Sequence, residues 1–147
     1  MDNQTKLTLL GAAFSGLFSG AAIYVNVVEH PARLSCGADI AHAQWVPSYK
    51  RAAIWQASLA SLGGLVGVIN YAKNKNKLAL KAGVLLLLVI PFTFIAIMPT
   101  NKILLEKQDI KKEEKEQLLT KWGQLHAVRT VASLISFGIF LYALAKK

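Results

Sequence analysis

LHAVRTVASLISFGIFLYALA, residues 125–145, is the stretch of sequence that decides the fold. It is apolar and long enough to cross a bilayer as a helix, which takes about 20 mostly apolar residues. It nevertheless contains His126 and Arg129. An Arg at the centre of a membrane helix costs roughly 2.5–3.5 kcal/mol on insertion scales, so such residues usually face the interior of a helix bundle. Snorkelling of Arg129 to the membrane surface is the alternative.

Three further stretches, 7–28, 52–72 and 78–98, meet the same length and hydropathy criterion. The chain is 54% hydrophobic and only 17% charged, which is the composition of a membrane protein. We therefore predict an all-α, antiparallel four-helix bundle that is embedded in the membrane, with residues 1–147 as a single membrane domain. The connection 102–121 is rich in Glu, Lys and Gln. It is expected to form a charged helical extension outside the membrane, with opposite-charge pairs along it.

The net charge of +9 does not indicate a nucleic-acid-binding protein. The Lys residues flank the apolar spans, where they meet lipid headgroups, and no aromatic residues are interleaved with them. The short Lys-rich connection 73–77 favours an orientation with both termini on the cytoplasmic or matrix side. The membrane itself stays open between the endoplasmic reticulum, the mitochondrial inner membrane and a bacterial plasma membrane. The single Cys36 excludes an internal disulfide and is interpreted as an ordinary thiol in the first loop.

Small residues predict where the helices pack closely. Gly16 and Gly20 have the GxxxG spacing in the first span, and Gly63, Gly64 and Gly67 lie in the second. Such residues let two helix backbones approach each other in lipid. We expect a tight bundle around a pocket.

Polar residues collect at one end of the predicted bundle. The first helix ends near His30, the second begins near Tyr49, the third ends at Asn101 and the fourth begins near Trp122. Four antiparallel spans bring these ends together. The opposite end offers mainly Lys and Asn.

Trp122, His126, Arg129 and Ser133 are spaced by four, three and four residues. At about 100° per residue they form one stripe along the fourth helix. Tyr49 and Gln56 share a face of the second helix with small residues, so we expect a pocket between these faces. In the alternative interpretation, Trp and Tyr form an interfacial belt and the charges anchor headgroups. That alternative explains Tyr49 well, but His126 and Arg129 poorly.

The chain resembles a known family at several of these positions. They are the glycine-rich first helix leading into Val-Glu-His-Pro-Ala-Arg (28–33), Tyr-Lys-Arg-Ala (49–52), Met-Pro-Thr-Asn (98–101) and Trp-Gly-Gln-Leu-His-Ala-Val-Arg (122–129). This pattern is similar to the DUF1772, or anthrone oxygenase-like, family, and the resemblance covers nearly the whole chain. Members are small four-helix membrane proteins. Some are assigned as oxygenases that convert anthrones to anthraquinones without a metal or flavin, and many have no assigned activity.

The resemblance implies an apolar or aromatic small molecule as ligand and no cofactor. An oxygenase of this kind needs a base and a positive group. His126 or His30 suits the base. Arg129 suits stabilisation of the enolate, with Asn101 as a hydrogen-bond donor. Trp122 and Tyr49 suit stacking on a flat substrate, and Gln56 lies on the same inward face.

Two alternatives remain. Two His residues from facing helices can clamp a haem, and His30, His42 and His126 lie on the same side of the membrane. However, the chain has no HExxH, no paired carboxylate motif and no Cys cluster, so we assign no metal ligand. The other alternative is a non-catalytic accessory subunit of a larger membrane complex, in which His126 and Arg129 pair with Glu29. An enzyme, alone or as a homo-oligomer, should keep an enclosed cavity lined by Trp122, His126, Arg129 and Asn101. A structural subunit should fill that space and should purify only with its partners.

Overall fold

The computed structural model describes residues 1–107 and 109–146. These residues form four long helices: α1 (Asn3–Ser35), α2 (Ala38–Asn74), α3 (Lys77–Glu106) and α4 (Lys112–Ala145). Each helix is long and apolar enough to cross a membrane, and the described residues contain no strand. The prediction of an all-α four-helix membrane bundle is confirmed.

The helices are arranged as a square. α1 packs against α2 and α4, and α3 packs against the same two helices, while the diagonal pairs touch much less. Consecutive helices are therefore neighbours, as expected for an up-down-up-down bundle with short connections.

The outer surface of the bundle is apolar and its interior contains many polar or small residues. The exposed apolar side chains include Leu17, Val27, Ile54, Trp55, Phe94, Ile95, Val131 and Tyr142. In water such a surface would be unfavourable, whereas in a bilayer it meets lipid tails. The protein is a multi-pass integral membrane protein. The compartment and the side on which the termini lie stay predictions.

The helices extend beyond the predicted spans. α1 continues to Ser35 and α2 already begins at Ala38, so Cys36 and Gly37 form the turn between them. The turn uses the positive φ of Gly37, 87°, which an L side chain rarely adopts. The expected first loop is thus largely helical, because its apolar residues, Trp45 among them, pack into the core. Cys36 is exposed and is a free thiol, as predicted.

The charged connection 102–121, of which Gln108 lies outside the described residues, consists of the end of α3 and the start of α4. Its ion pairs are Lys107 with Glu114 and Lys115 with Asp39, each at 2.8 Å. The second pair ties the start of α4 to the start of α2. The extension is helical as predicted, with one opposite-charge pair within it and one that reaches α2, and its position outside the membrane stays a prediction.

The backbones of α2 and α3 approach each other closely at three glycines. A Cβ added to Gly67 would lie 2.5 Å from Ala79 O and 2.7 Å from Gly83 Cα, and one added to Gly64 would lie 3.0 Å from Gly83 O. Only glycine therefore permits this crossing of two backbones. We call the end of the bundle that contains Gly64, Gly67 and Gly83 the glycine end. By contrast, a Cβ on Gly20 would meet nothing within 4 Å, so the predicted packing role of Gly20 is wrong.

α1 and α3 each contain a π-turn, Val25–Glu29 in α1 and Thr93–Ile97 in α3. Each π-turn ends directly before an X-Pro pair, His30-Pro31 or Met98-Pro99. A proline has no N–H and its ring clashes with the carbonyl four residues earlier, so a wider turn relieves the crowding. Both π-turns lie towards the end of the bundle that contains His30, Tyr49, Asn101 and Trp122, which we call the polar end.

Candidate functional site

The predicted stripe on α4 faces the interior of the bundle. Its side chains are all buried: Trp122, His126, Arg129, Ser133 and Ser136. Burial of a guanidinium and an imidazole within an apolar span shows that neither snorkels to the membrane surface. The polar side chains of this stripe therefore lie in the bundle interior, as the sequence predicted.

Trp122 is the centre of an aromatic cluster at the polar end. The rings of His30 and His126 each have their centroid 5.0 Å from that of Trp122. The ring of His30 lies directly over Gly123, where an added Cβ would come within 2.7 Å of Nε2. Because Gly123 has no side chain, the imidazole of His30 on α1 can contact α4 at this position.

His30 has one engaged ring nitrogen and one free nitrogen. Its Nε2 lies 2.9 Å from the carbonyl oxygen of Leu119, and because a carbonyl only accepts, Nε2 carries the proton and donates. Nδ1 is fully buried and has no hydrogen-bond partner. Neutral His30 thus has a lone pair that no substrate can reach without displacing its neighbours.

His126 contacts a residue that the sequence analysis missed. Its Nδ1 lies 2.7 Å from Oδ1 of Asn26, whose Nδ2 in turn donates to the carbonyl oxygen of Gly123 at 3.0 Å. Asn26 is part of the π-turn in α1. The signal that could have identified it is an amide side chain inside an apolar span, four residues before His30.

Trp45 is the second missed residue. It is fully buried, is stacked on Tyr49 at 4.8 Å, and meets Trp122 edge-on at 5.7 Å. Tyr49 also accepts a hydrogen bond from Nδ2 of Asn101 at 2.9 Å. Trp45 therefore joins the predicted residues of α2, α3 and α4 into one cluster. It was missed because the segment before residue 49 was expected to be a loop.

Arg129 lies deeper in the bundle. Its Nη2 donates to Oε1 of Gln56 at 3.0 Å, and its guanidinium carbon lies 5.4 Å from the ring centroid of Phe18. Nε is buried without a hydrogen-bond partner. Among the described residues no carboxylate lies within ion-pair distance of Arg129. The positive charge is thus held in an apolar interior with donor capacity to spare.

The accessory-subunit interpretation expected Glu29 to pair with His126 and Arg129. Glu29 pairs with neither of them. It accepts hydrogen bonds from Arg33 and, at 2.8 Å, from Ser48. Arg33 is itself nearly buried and its guanidinium carbon lies 5.9 Å from the ring centroid of Trp122. The charge of Glu29 is therefore neutralised within α1, which leaves Arg129 without an acidic partner.

A cavity of about 130 Å³ lies between α2 and α3, with Arg129 of α4 in its wall. Its lining residues are Tyr49, Ala53, Ala57, Ala60, Val89, Ile90, Thr93, Phe94, Met98 and Arg129. Ala57 and Phe94 are exposed on the outer surface, so the cavity is reached from the lipid side. Of the predicted site residues it contacts Tyr49 and Arg129. Gln56, Asn101, Trp122 and His126, which were expected at the pocket, do not line this cavity, and neither does His30.

The described residues contain no group of three or more His, Cys, Asp or Glu side chains that could hold a metal ion. His42, expected in a loop, lies on α2, and its Nε2 is 2.6 Å from the carbonyl oxygen of Leu104. It therefore ties α2 to α3 and is separate from the aromatic cluster.

Residues 45–139 match the family model described as anthrone oxygenase. An anthrone oxygenase of Cryptosporiopsis sp. (strain 8999) is 29% identical over 140 residues, which cover 88% of this chain and 81% of the relative. An anthrone oxygenase of Claviceps purpurea (strain 20.1) is 27% identical over 140 residues, with 84% and 80% covered. No solved structure matches the chain. Because the family match extends over well more than half of its length, the chain belongs to the anthrone oxygenase family.

Proposed function

We propose that this protein is a membrane-embedded oxygenase that oxidises a flat, apolar aromatic ketone of the anthrone class without a cofactor. The observation that carries the proposal is Arg129, a buried cation in the wall of an apolar cavity that is reached from the lipid side. Within the part of the chain that the structure describes, no carboxylate pairs with it. The relatives, named anthrone oxygenases, support the substrate class. Neither the fold nor the relatives support the accessory-subunit alternative.

The cavity suits an aromatic ligand that dissolves in the bilayer. An apolar cavity of about 150 Å³ is known to accommodate benzene, so about 130 Å³ takes roughly one ring. The remaining rings of a tricyclic ligand would extend through the opening beside Ala57 and Phe94. Substrate and dioxygen, both more soluble in lipid than in water, reach this site without crossing the aqueous phase.

Arg129 is proposed to stabilise the negative charge that develops on the substrate oxygen. Its Nη2 is oriented by Gln56, which fixes the guanidinium before the substrate arrives. A fixed donor in a water-poor site is typically worth about 10²–10³-fold in kcat. Tyr49, held by Asn101, lines the same cavity and contacts the ring system.

His126 is proposed to be the base, and His30 is not. The free nitrogen of His30 is fully buried and its ring is fixed between Gly123 and Trp122. His126 is three residues from Arg129 on the same helix face, and its Nδ1 is engaged by Asn26, which leaves Nε2 to accept a proton. Because His126 does not line the cavity, a ligand must extend past Arg129 to reach it. Trp122 then acts through packing, since it holds His126 in place.

The proposed reaction balances with dioxygen as the only oxidant. His126 accepts a proton from the acidic methylene of the anthrone, and the electron pair moves into the enolate whose oxygen faces Arg129. The carbanion carbon adds dioxygen, and the proton returns to the resulting peroxide. Loss of water, with the second methylene hydrogen, breaks the O–O bond and leaves the new carbonyl. One anthrone and one dioxygen thus give one anthraquinone and one water.

Oxygen uptake by purified protein in lipid nanodiscs tests the proposal. With an anthrone as substrate, we expect one dioxygen consumed per quinone formed, and loss of this activity in His126→Gln while His30→Gln stays active. Cys36→Ser, which changes an exposed residue away from the cavity, serves as the matched control. Uptake no faster than in protein-free nanodiscs would contradict the anthrone assignment.

A further inference from the structure

The side chain of Asn26 forms hydrogen bonds to one face of α4. Its Nδ2 donates to the carbonyl oxygen of Gly123, and its Oδ1 accepts from His126 Nδ1 and from the hydroxyl of Thr130. Both the nitrogen and the oxygen of the amide are therefore engaged, in a chain segment that is otherwise apolar. A polar side chain with this much engagement in a membrane span has a specific task.

The orientation of the amide decides the protonation of His126. Because Nδ2 must point at the Gly123 carbonyl, which only accepts, Oδ1 is the atom that faces His126. An amide oxygen also only accepts, so the proton of neutral His126 resides on Nδ1. The lone pair is then on Nε2, which forms no hydrogen bond with the described residues.

The other two imidazoles have the opposite arrangement. His30 donates from Nε2 to Leu119 O, and His42 donates from Nε2 to Leu104 O. In both residues Nε2 therefore carries a proton. His126 is thus the exception among the three His residues of the chain, and Asn26 is the reason.

We propose that Asn26 is a positioning residue that holds His126 as the Nδ1–H tautomer and so selects Nε2 as the proton-accepting nitrogen. The tautomer follows from the geometry alone, while its catalytic use rests on the proposed function. An amide holds the ring without adding a charge, which keeps the surroundings of Arg129 free of carboxylates. Asn26 belongs to the π-turn Val25–Glu29, in which its side chain is directed towards α4.

Nitrogen-15 NMR of histidine-labelled protein in nanodiscs tests the tautomer without any substrate. The three His residues are assigned by single His→Gln substitutions. We expect Nδ1–H for His126 and Nε2–H for His30 and His42. An Nε2–H signal for His126 in the wild-type protein would overturn the proposal.

Three variants separate positioning from stability. Asn26→Leu removes the acceptor, so His126 should lose its Nδ1–H preference, and kcat should fall by about 10²-fold, the low end of a general base's contribution, with KM unchanged. Asn26→Asp keeps an acceptor oxygen and should retain the Nδ1–H tautomer. Loss of that tautomer in Asn26→Asp would contradict the positioning role even if Asn26→Leu does not fold. Asn70→Leu, the matched control, removes a buried amide that links α2 to α1 at the other end of the bundle. It should leave the His126 spectrum and kcat unchanged.

The outcomes distinguish the two proposals. If wild-type protein shows no oxygenase activity but His126 is Nδ1-protonated and Asn26→Leu abolishes that preference, Asn26 is confirmed as a positioning residue and the proposed function fails. If wild-type protein is active and folded Asn26→Leu keeps both the tautomer and kcat, the positioning role is refuted and the proposed function stands.

Discussion

The two ends of the bundle treat buried polar groups in opposite ways. At the glycine end, Asn70 donates to Thr8 and accepts from Asn74, and α2 and α3 are in backbone contact through Gly67 and Gly83. At the polar end and beside the cavity lie the buried polar atoms that have no partner among the described residues. They are His30 Nδ1, Arg33 Nε, Trp45 Nε1, Asn101 Oδ1 and Arg129 Nε.

This difference separates the end that we expect to stabilise the molecule from the end that holds the proposed site. An unpaired buried polar group costs about 1–3 kcal/mol, so a membrane bundle without a further task would not accumulate several of them. Both π-turns and the cavity occur towards the same end. We therefore expect the glycine end to contribute stability, and the polar end, under the proposed function, to keep polar groups available to a ligand.

The largest expected effect comes from Arg129→Met. Loss of the cation should lower kcat for an anthrone by about 10²–10³-fold. The free energy of unfolding should stay the same or rise, because an apolar side chain of similar size replaces a buried charge. Stopped-flow oxygen kinetics and unfolding in mixed micelles measure the two quantities. Arg129→Lys keeps the charge but loses the planar guanidinium, so its kcat should lie between those of the wild-type protein and Arg129→Met. A loss of stability that parallels the loss of activity would contradict the division between the two ends.

Gly67→Ala should have the reverse effect. The new Cβ would overlap Ala79 O and Gly83 Cα, so the free energy of unfolding should fall by about 1–3 kcal/mol. Gly20→Ala introduces the same methyl group where nothing lies within 4 Å, and is the matched control. Equal unfolding midpoints for the two variants would show that the α2–α3 crossing is not the tight contact described above.

The fold and the collection of polar residues at one end were predictable from the sequence. Four apolar runs separated by short connections permit little besides an up-down bundle, and that topology brings His30, Tyr49, Asn101 and Trp122 together. The inward direction of Arg129 followed from the spacing along α4.

The parts of the site that were not predicted depend on features that the regular spacing of helix residues does not reveal. A π-turn shifts the faces of α1, so the direction of Asn26 could not be read from the spacing. Trp45 was missed because α2 begins well before its membrane-crossing part. The lining of the cavity depends on the rotation of each helix. This is why Tyr49 and Arg129 line it while the rest of the predicted set does not.

Gly123→Ala tests a contact within the polar end. A Cβ there would collide with the imidazole of His30, which can move, so we expect a loss of about 1 kcal/mol as its bond to Leu119 breaks. The nitrogen-15 signal of His30 Nε2 should shift at the same time. An unchanged signal would show that the ring does not lie over Gly123.

Lys115→Ala should have the smallest effect. Its pair with Asp39 lies on the surface of the extension outside the membrane, where solvent screens the attraction. The unfolding midpoint should match that of the wild-type protein. A loss as large as that of Gly67→Ala would move the main source of stability away from the glycine end.

The most direct test of the central claim is equilibrium binding of an anthrone under argon, where no turnover occurs. Quenching of Trp fluorescence in nanodiscs reports binding, because Trp45 is stacked on Tyr49 in the cavity wall. Ala57→Phe fills the mouth of the cavity, and Ser58→Phe places the same ring on the neighbouring exposed position outside it. We predict saturable binding by the wild-type protein and by Ser58→Phe, and a dissociation constant about tenfold higher, or roughly 1.4 kcal/mol, for Ala57→Phe. Identical, non-saturating quenching in all three proteins would mean that the anthrone only partitions into lipid, and would contradict the account.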